Sequence, residues 1–297
     1  MTAPFPSALR PRRSFLYVPG SNPRALAKAR TLPADGVILD LEDAVAPDAK
    51  AAARLTIGQT IAEGGFGARE VLVRVNGLAT AWGWDDLVAA ATSGADGVVL
   101  PKIESADAVR MADRVLAEAG APQTLGLWVM METPRAILRA EEIAAASPRL
   151  TGMVMGTNDL AKDLRVAHTA SGLPLLTASA LCVLAARAYG LAILDGVHRD
   201  VHDDAGFAAA CADGLARGFD GKTLIHPRTI AAANTAFAPS ASALDEARRI
   251  ITAHAEATAE GRAVVLVDGK LVEALHVAQA RQLVALADAI AARSTGQ

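Results

Sequence analysis

Eight short apolar runs, separated by Ala-rich stretches of helical length, constrain this chain more than any other feature it has. They are SFLYVPG, DGVILDLED, EVLVRVNG, DGVVLPKIE, LGLWVMME, LTGMVMGTND, LAILDGV and KTLIHP, and a helix-forming stretch follows each. Such alternation is the signature of successive βα units around parallel strands. The runs are apolar nearly throughout instead of strictly alternating, as strands covered on both faces are, so helices are expected outside them. Eight units close a barrel, and 297 residues suit one (β/α)8 TIM barrel of the α/β class with a short appendage. A doubly wound open sheet competes, but its dinucleotide-binding form needs a G-x-G-x-x-G turn after the first strand. Pro19-Gly20-Ser21-Asn22 is not one.

Beyond the eighth unit, residues 242–260 read as a helix, and AVVLVDGKLVEALHV sets Asp268-Gly269 between two β-branched runs, a short hairpin signal. A final helix follows. This divides the chain into a barrel over residues 1–238 and a C-terminal helix–hairpin–helix extension over residues 239–297. The extension cannot join the eightfold closure, so it packs on its own barrel or reaches a neighbouring subunit.

Charge excludes some partners. With 29 Lys and Arg against 32 Asp and Glu, and 52% apolar residues, a large interior can be buried without any polybasic face. Neither nucleic acid nor an anionic membrane surface is an expected partner. The start, MTAPFPSALRPRRSF, has basic residues without a following apolar h-region, and no run approaches the roughly 20 apolar residues of a membrane span. A cytoplasmic protein is expected. Cys182 and Cys211 lie in Ala-rich stretches and read as small buried hydrophobes, not as a disulfide or a zinc site.

In such a barrel the active site lies at the C-terminal ends of the strands, so the polar residues at which each apolar run stops belong together. They are Asp40, Glu42 and Asp43; Arg74 and Asn76; Lys102 and Glu104; Glu132; Asn158 and Asp159; Asp195; and His226. So many carboxylates around two cations cannot all stay ionised without a compensating charge, and a hard divalent cation supplies it. Oxygen ligands without a Cys or His pair point to Mg²⁺, with Mn²⁺ as the variant, and Glu132 and Asp159 on neighbouring strand ends are the first choices. The plainer reading is that some of these acids cap helices, which suits Asp43 and Asp107 best. Arg74 ends an apolar strand, where a guanidinium needs an anion: a structural partner such as Glu42, or a substrate oxygen. The first helix, SNPRALAKA, has Ser21 or Asn22 as cap and Pro23 in its first turn; with Arg12, Arg13, Arg24 and Lys28 nearby it is a phosphate site or an ordinary helix start.

Taken in order, RRSFLYVPGSNPRALAKA, ILDLEDAV with a following Lys50, VRVNG, VVLPKIES, METPRA, GTNDLAKDL and LIHP resemble the citrate lyase β-subunit-like enzymes of the HpcH/HpaI aldolase superfamily, among them malyl-CoA and citramalyl-CoA lyases. The resemblance runs over essentially the whole chain. It implies Mg²⁺ on Glu132 and Asp159, a keto acid chelating that metal beside Glu42 and Asn158, and Arg74 on the reacting oxygen. It implies that Arg13, Tyr17, Pro19 and Lys28 lie along the CoA access path. It also implies a homotrimer or hexamer in which the C-terminal hairpin closes over a neighbour's site. The activity implied is carbon–carbon cleavage of a 3-hydroxyacyl-CoA into an acyl-CoA and a 2-keto acid, as in an oxo-acid lyase.

One residue departs from the pattern. The family's general acid/base is an Asp in a C-terminal G-K-[ML]-[IV]-D segment, and here the segment reads Gly269-Lys270-Leu271-Val272-Glu273. Glu is longer by one methylene, so the loop has to retreat by about 1 Å for the same proton transfer. Either Glu273 is the base, or Asp268 replaces it, or the site has turned to another reaction such as thioester hydrolysis. Rival functions are a CoA-independent hydroxy-keto-diacid aldolase, a true citrate lyase β subunit acting on an acyl-carrier protein, and a barrel that has lost its chemistry.

Overall fold

Eight parallel strands close on themselves: β1 (Ser14–Pro19), β2 (Gly36–Asp40), β3 (Glu70–Arg74), β4 (Gly97–Leu100), β5 (Gly126–Met131), β6 (Leu150–Met155), β7 (Ala192–Asp195) and β8 (Gly221–Leu224). Each pairs with the next, and β1 pairs with β8 at Ser14↔Lys222 and Leu16↔Leu224 to complete the circle. The helices between them are α1 (Pro23–Ala29), α2 (Lys50–Glu63), α3 (Gly83–Ala91), α4 (Ala106–Glu118), α5 (Pro134–Leu138), α6 (Ala140–Ala144), α7 (Thr157–Leu164), α8 (Leu176–Ala188), α9 (Asp204–Arg217) and α10 (Ile230–Ala236). This is the (β/α)8 barrel expected from the sequence. The computed structural model describes residues 10–169 and 172–295. Its chain divides into two compact units, Arg12–Phe237 and a second that runs from Ala238 onward and includes Pro11.

Strand periodicity decides what reaches the barrel axis, because alternate side chains face opposite sides of a sheet. Phe15, Ile38, Leu72, Val99, Trp128, Met130, Val154, Ala192 and Leu194 make the interior core. Two residues further along these strands, on the same face, come Tyr17, Asp40, Arg74, Glu132 and Gly156. The intervening positions, such as Leu39, Val73, Val129 and Ile193, face the helices and join Leu26, Ile57, Leu87, Val109, Cys182 and Cys211 in the outer core. Both cysteines are therefore buried hydrophobes. The interior holds two large aromatics, Phe15 and Trp128, 5.7 Å apart between ring centroids. Glycine makes room for them: a Cβ on Gly36 would lie 2.3 Å from Phe15, and one on Gly152 2.3 Å from Trp128.

The N-terminal end of the barrel is closed by ion pairs. Arg12 Nε lies 2.7 Å from Glu70 Oε2, and the Arg12 guanidinium sits 5.2 Å over the Trp128 ring. Arg13 donates to Asp35 from its backbone N at 2.8 Å, from Nε at 2.8 Å and from Nη2 at 2.9 Å. All of these groups flank the first residues of β1, β2 and β3.

The second unit holds α11 (Ala241–Ala259), the antiparallel pair β9 (Val265–Val267) and β10 (Lys270–Val272), and α12 (Ala274–Thr295). Asp268 at φ 48 and Gly269 at φ 77 form its turn, the two left-handed positions that a two-residue hairpin requires. Arg249 and Glu246 of α11 pair with Asp268 and Lys270 of the hairpin, at 3.0 and 3.1 Å. Glu273 precedes α12, and its backbone N donates to His276 Nδ1 at 3.0 Å. Among the described residues, no helix is long and apolar enough to cross a membrane.

Candidate active site

A cavity of about 290 Å³ opens at the C-terminal end of the barrel, and the inward positions of six strands meet in it. Tyr17, Asp40, Arg74, Met130, Glu132, Gly156 and Thr223 line it, with Asp43, Asn158 and Asp159 from strand ends and loops. A polar floor therefore lies directly above the aromatic interior.

Arg74 is clamped from several sides. Its Nε and Nη2 donate to Asp40 Oδ1 and Oδ2, both at 2.7 Å, and Nη1 lies 2.8 Å from Glu42 and 3.4 Å from Asp43. The guanidinium also sits 4.7 Å from the Tyr17 ring centroid, which fixes its plane. Burial works against the Arg74 charge, but Asp40 outweighs it and the side chain stays firmly protonated. Glu42 fares differently: burial, only partly offset by Arg74, pushes its carboxyl up to about 8. Burial likewise raises the Tyr17 phenol despite Arg74, so its hydroxyl remains a hydrogen-bond donor at any working pH. Lys50 holds this loop from below, its Nζ donating to the carbonyls of Leu41 at 2.9 Å and Glu42 at 3.0 Å.

Glu132 and Asp159 line the same cavity as this clamp. Glu132 is 1% exposed and its Oε2 has no hydrogen-bond partner, which is costly for a carboxylate unless something positive meets it. Burial accordingly raises its affinity for a proton, against the pull of Lys102. Lys102 spans the pair, with Nζ 2.6 Å from Asp159 Oδ2 and 3.4 Å from Glu132 Oε1. Gly156 backs Glu132 closely; a Cβ there would lie 2.6 Å from Oε2. Helix α7 starts from Gly156 without a side-chain cap, so its first-turn N–H groups at the site can donate to an anionic group. A buried carboxylate with one unmet oxygen, a second carboxylate beside it and only oxygen donors fit a hard divalent cation.

The other residues gathered from the strand ends part company with the site. Asp195 faces outward with Ile193 and pairs with Lys222 beneath α9, because it falls on the opposite parity from Ala192 and Leu194. Asn76 is taken by Asp86, to which its N and Nδ2 donate at 3.0 and 2.6 Å. Glu104 pairs with Arg135 at 3.7 Å, and the exposed His226 accepts from its own loop at the Arg228 N. Asp107 is a surface partner of Arg110. Arg13, expected on the CoA path, lies at the far end of the barrel committed to Asp35, since it precedes β1 instead of following it. Tyr17 faces the barrel interior under Arg74, Pro19 ends β1 at the mouth, and Lys28 is exposed on α1, which Asn22 caps by accepting from Ala25 N at 3.0 Å. The support from Lys50 and the lining by Met130 and Thr223 escaped sequence reasoning; strand parity would have found the last two.

Comparison with known proteins shows the family and supports the fold. The family model described as HpcH/HpaI aldolase/citrate lyase matches residues 13–227. A (3S)-malyl-CoA thioesterase of Cereibacter sphaeroides is 50% identical over 282 residues, 95% of this chain and 96% of that protein. The citrate lyase subunit beta of Escherichia coli strain K12 is 37% identical over 284 residues, 94% of each chain. Among solved structures, CitE of Mycobacterium tuberculosis in complex with magnesium, acetoacetate and coenzyme A superposes with a TM-score of 0.73 at 33% identity, covering 93% of this chain and 97% of that one.

Proposed function

The chain belongs to the HpcH/HpaI aldolase/citrate lyase family, and from that premise we propose that it is a magnesium-dependent enzyme acting on CoA thioesters of short 3-hydroxy diacids, of which malyl-CoA is the type. One observation carries the reading: the unmet Oε2 of buried Glu132 shares a cavity with Asp159, Arg74 and the uncapped start of α7. Glu132 and Asp159 would hold the metal, which supplies Lewis acidity and countercharge for a hydroxy or keto acid. The α7 amides and Asn158 receive the free carboxylate end of the substrate. Arg74, aimed by Asp40 and assisted by the Tyr17 hydroxyl, takes the negative charge that develops on the thioester oxygen.

That charge arises in two reactions, as a tetrahedral oxyanion in hydrolysis and as an enolate in carbon–carbon cleavage. Hydrolysis is the first reading, supported by the 50% identical thioesterase and by Glu273 standing where lyases of this family carry Asp. Water adds to the thioester carbon, the C–S bond breaks, and the proton passes to the departing CoA sulfur. Lysis to an acyl-CoA and a 2-keto acid is the second reading, supported by the citrate lyase relatives and by an oxyanion device that serves an enolate equally well. In both, Glu273 is proposed as the base, delivered by a neighbouring copy in a homotrimer or hexamer; exposed Leu266, Leu271 and Leu275 around it support such packing. Pro19 and Lys28 remain the proposed CoA contacts at the mouth; the placement of Arg13 gives no support to the same role.

The test is a mass-spectrometric assay with Mg²⁺ or EDTA on malyl-CoA and citramalyl-CoA, following free CoA, acetyl-CoA and keto acid separately. Free CoA alone is expected. Acetyl-CoA rising in step with a keto acid would establish the lyase instead, and EDTA-insensitive turnover would sink the metal reading. Glu273→Gln should abolish turnover while Glu273→Asp retains it; equal rates would acquit Glu273.

A further inference from the structure

We propose that Lys102 is the internal counter-ion of the metal-ligand pair: its ammonium holds Glu132 and Asp159 together while no divalent cation is bound, and has to leave them when one enters. The proposal rests on the magnesium reading above. Lys102 stands just past β4 at φ 53, a left-handed conformation that side chains other than glycine rarely adopt without a reason. This turn aims two different donors of one residue at the pair. The backbone N donates to Glu132 Oε1 at 2.7 Å, while Nζ reaches Asp159 Oδ2 at 2.6 Å.

The two donors differ in their freedom to move. The backbone N–H is fixed by the barrel and goes on orienting Glu132 whatever else binds. The side chain is 40% exposed, so its ammonium can exchange Asp159 for water at little cost. Glu132 Oε2 is left without a partner, and the nearer contact of the ammonium is on the other ligand residue, Asp159. A divalent cation bridging the two carboxylates therefore competes with Lys102 for Asp159 and is repelled by its charge. Lys102 thereby sets how tightly the metal-free site takes up its cation, acting through the ligands as a positioning residue.

Full-length protein stripped with EDTA is titrated with MgCl2 by calorimetry and with MnCl2 by electron paramagnetic resonance, without substrate. Lys102→Met should bind Mg²⁺ about three- to tenfold more tightly than the parent, and Lys102→Arg, which keeps the charge, should not. The metal-free Lys102→Met protein should also melt at a lower temperature, since two carboxylates then face each other alone. Equal or weaker Mg²⁺ affinity in Lys102→Met would overturn the counter-ion role while leaving the metal reading intact. Binding that survives Glu132→Gln in either background would place the metal elsewhere and overturn both. Should Lys102→Met not fold, Lys102→Gln replaces it in the same comparison.

Discussion

The two ends of the barrel are built from the same strands and the same residue types, yet they are wired in opposite ways. At the N-terminal end Arg12 meets Glu70 and Arg13 meets Asp35 in fork geometry, which leaves each charge answered inside the protein. At the C-terminal end Arg74 meets three carboxylates at once, Glu132 keeps an oxygen unmet, and one lysine is stretched across two acids. Satisfied pairs stabilise, and unsatisfied ones await a ligand. The difference teaches that the number of charged residues at a barrel end says little, whereas the balance of their partners marks the functional face.

Mutations that break the contrast should separate activity from stability. Glu132→Gln is expected to lower Mg²⁺-dependent turnover by about 10³-fold or more, with an unchanged or higher melting temperature, because it removes a buried, partly unmet charge. Kinetics and calorimetry on the same sample check both halves; a large fall in stability would show that Glu132 is structural. Arg74→Lys keeps the charge but loses the fork on Asp40, and should cost about 10²-fold in kcat/KM. Turnover close to that of the parent would remove Arg74 from the chemistry.

At the other end the signs reverse. Glu70→Ala should destabilise the fold by about 2–3 kcal/mol in urea titrations while kcat per folded molecule stays unchanged, since it strands Arg12 over the Trp128 ring. The last effect concerns pH. Glu42 takes up its proton at about 8 when folded against 4.5 when free, so between these values the folded state binds more protons and stability falls as pH rises. Glu42→Gln lacks this titration, and its melting temperature relative to the parent should climb from about pH 5 to about pH 8 in metal-free buffer. A constant difference across that range would place Glu42 among ordinary exposed acids.

Much of the fold was legible beforehand because the information was local. An apolar run followed by a helical stretch announces a βα unit wherever it occurs, and eight of them leave little but a closed barrel. The Asp268-Gly269 turn was equally local, and both residues adopt the positive φ angles that such a turn needs. The site was legible only as a set of strand-end residues. Asp195 belongs to that set by position along its strand, but its parity turns it toward α9 and Lys222. Arg13 precedes the first residue of its strand instead of following the last, so the whole length of β1 separates it from the mouth.

By itself, then, the sequence determined the eight strands, the faces they bury, and which side chains could reach the mouth, because strand period and apolar runs are properties of a few consecutive residues. The tertiary structure alone decided which charge meets which. Closing the barrel sets Lys102 beside Asp159 across 57 positions of chain and Arg74 beside Asp40 across 34, and pairings over such distances depend on register and curvature that no local pattern encodes.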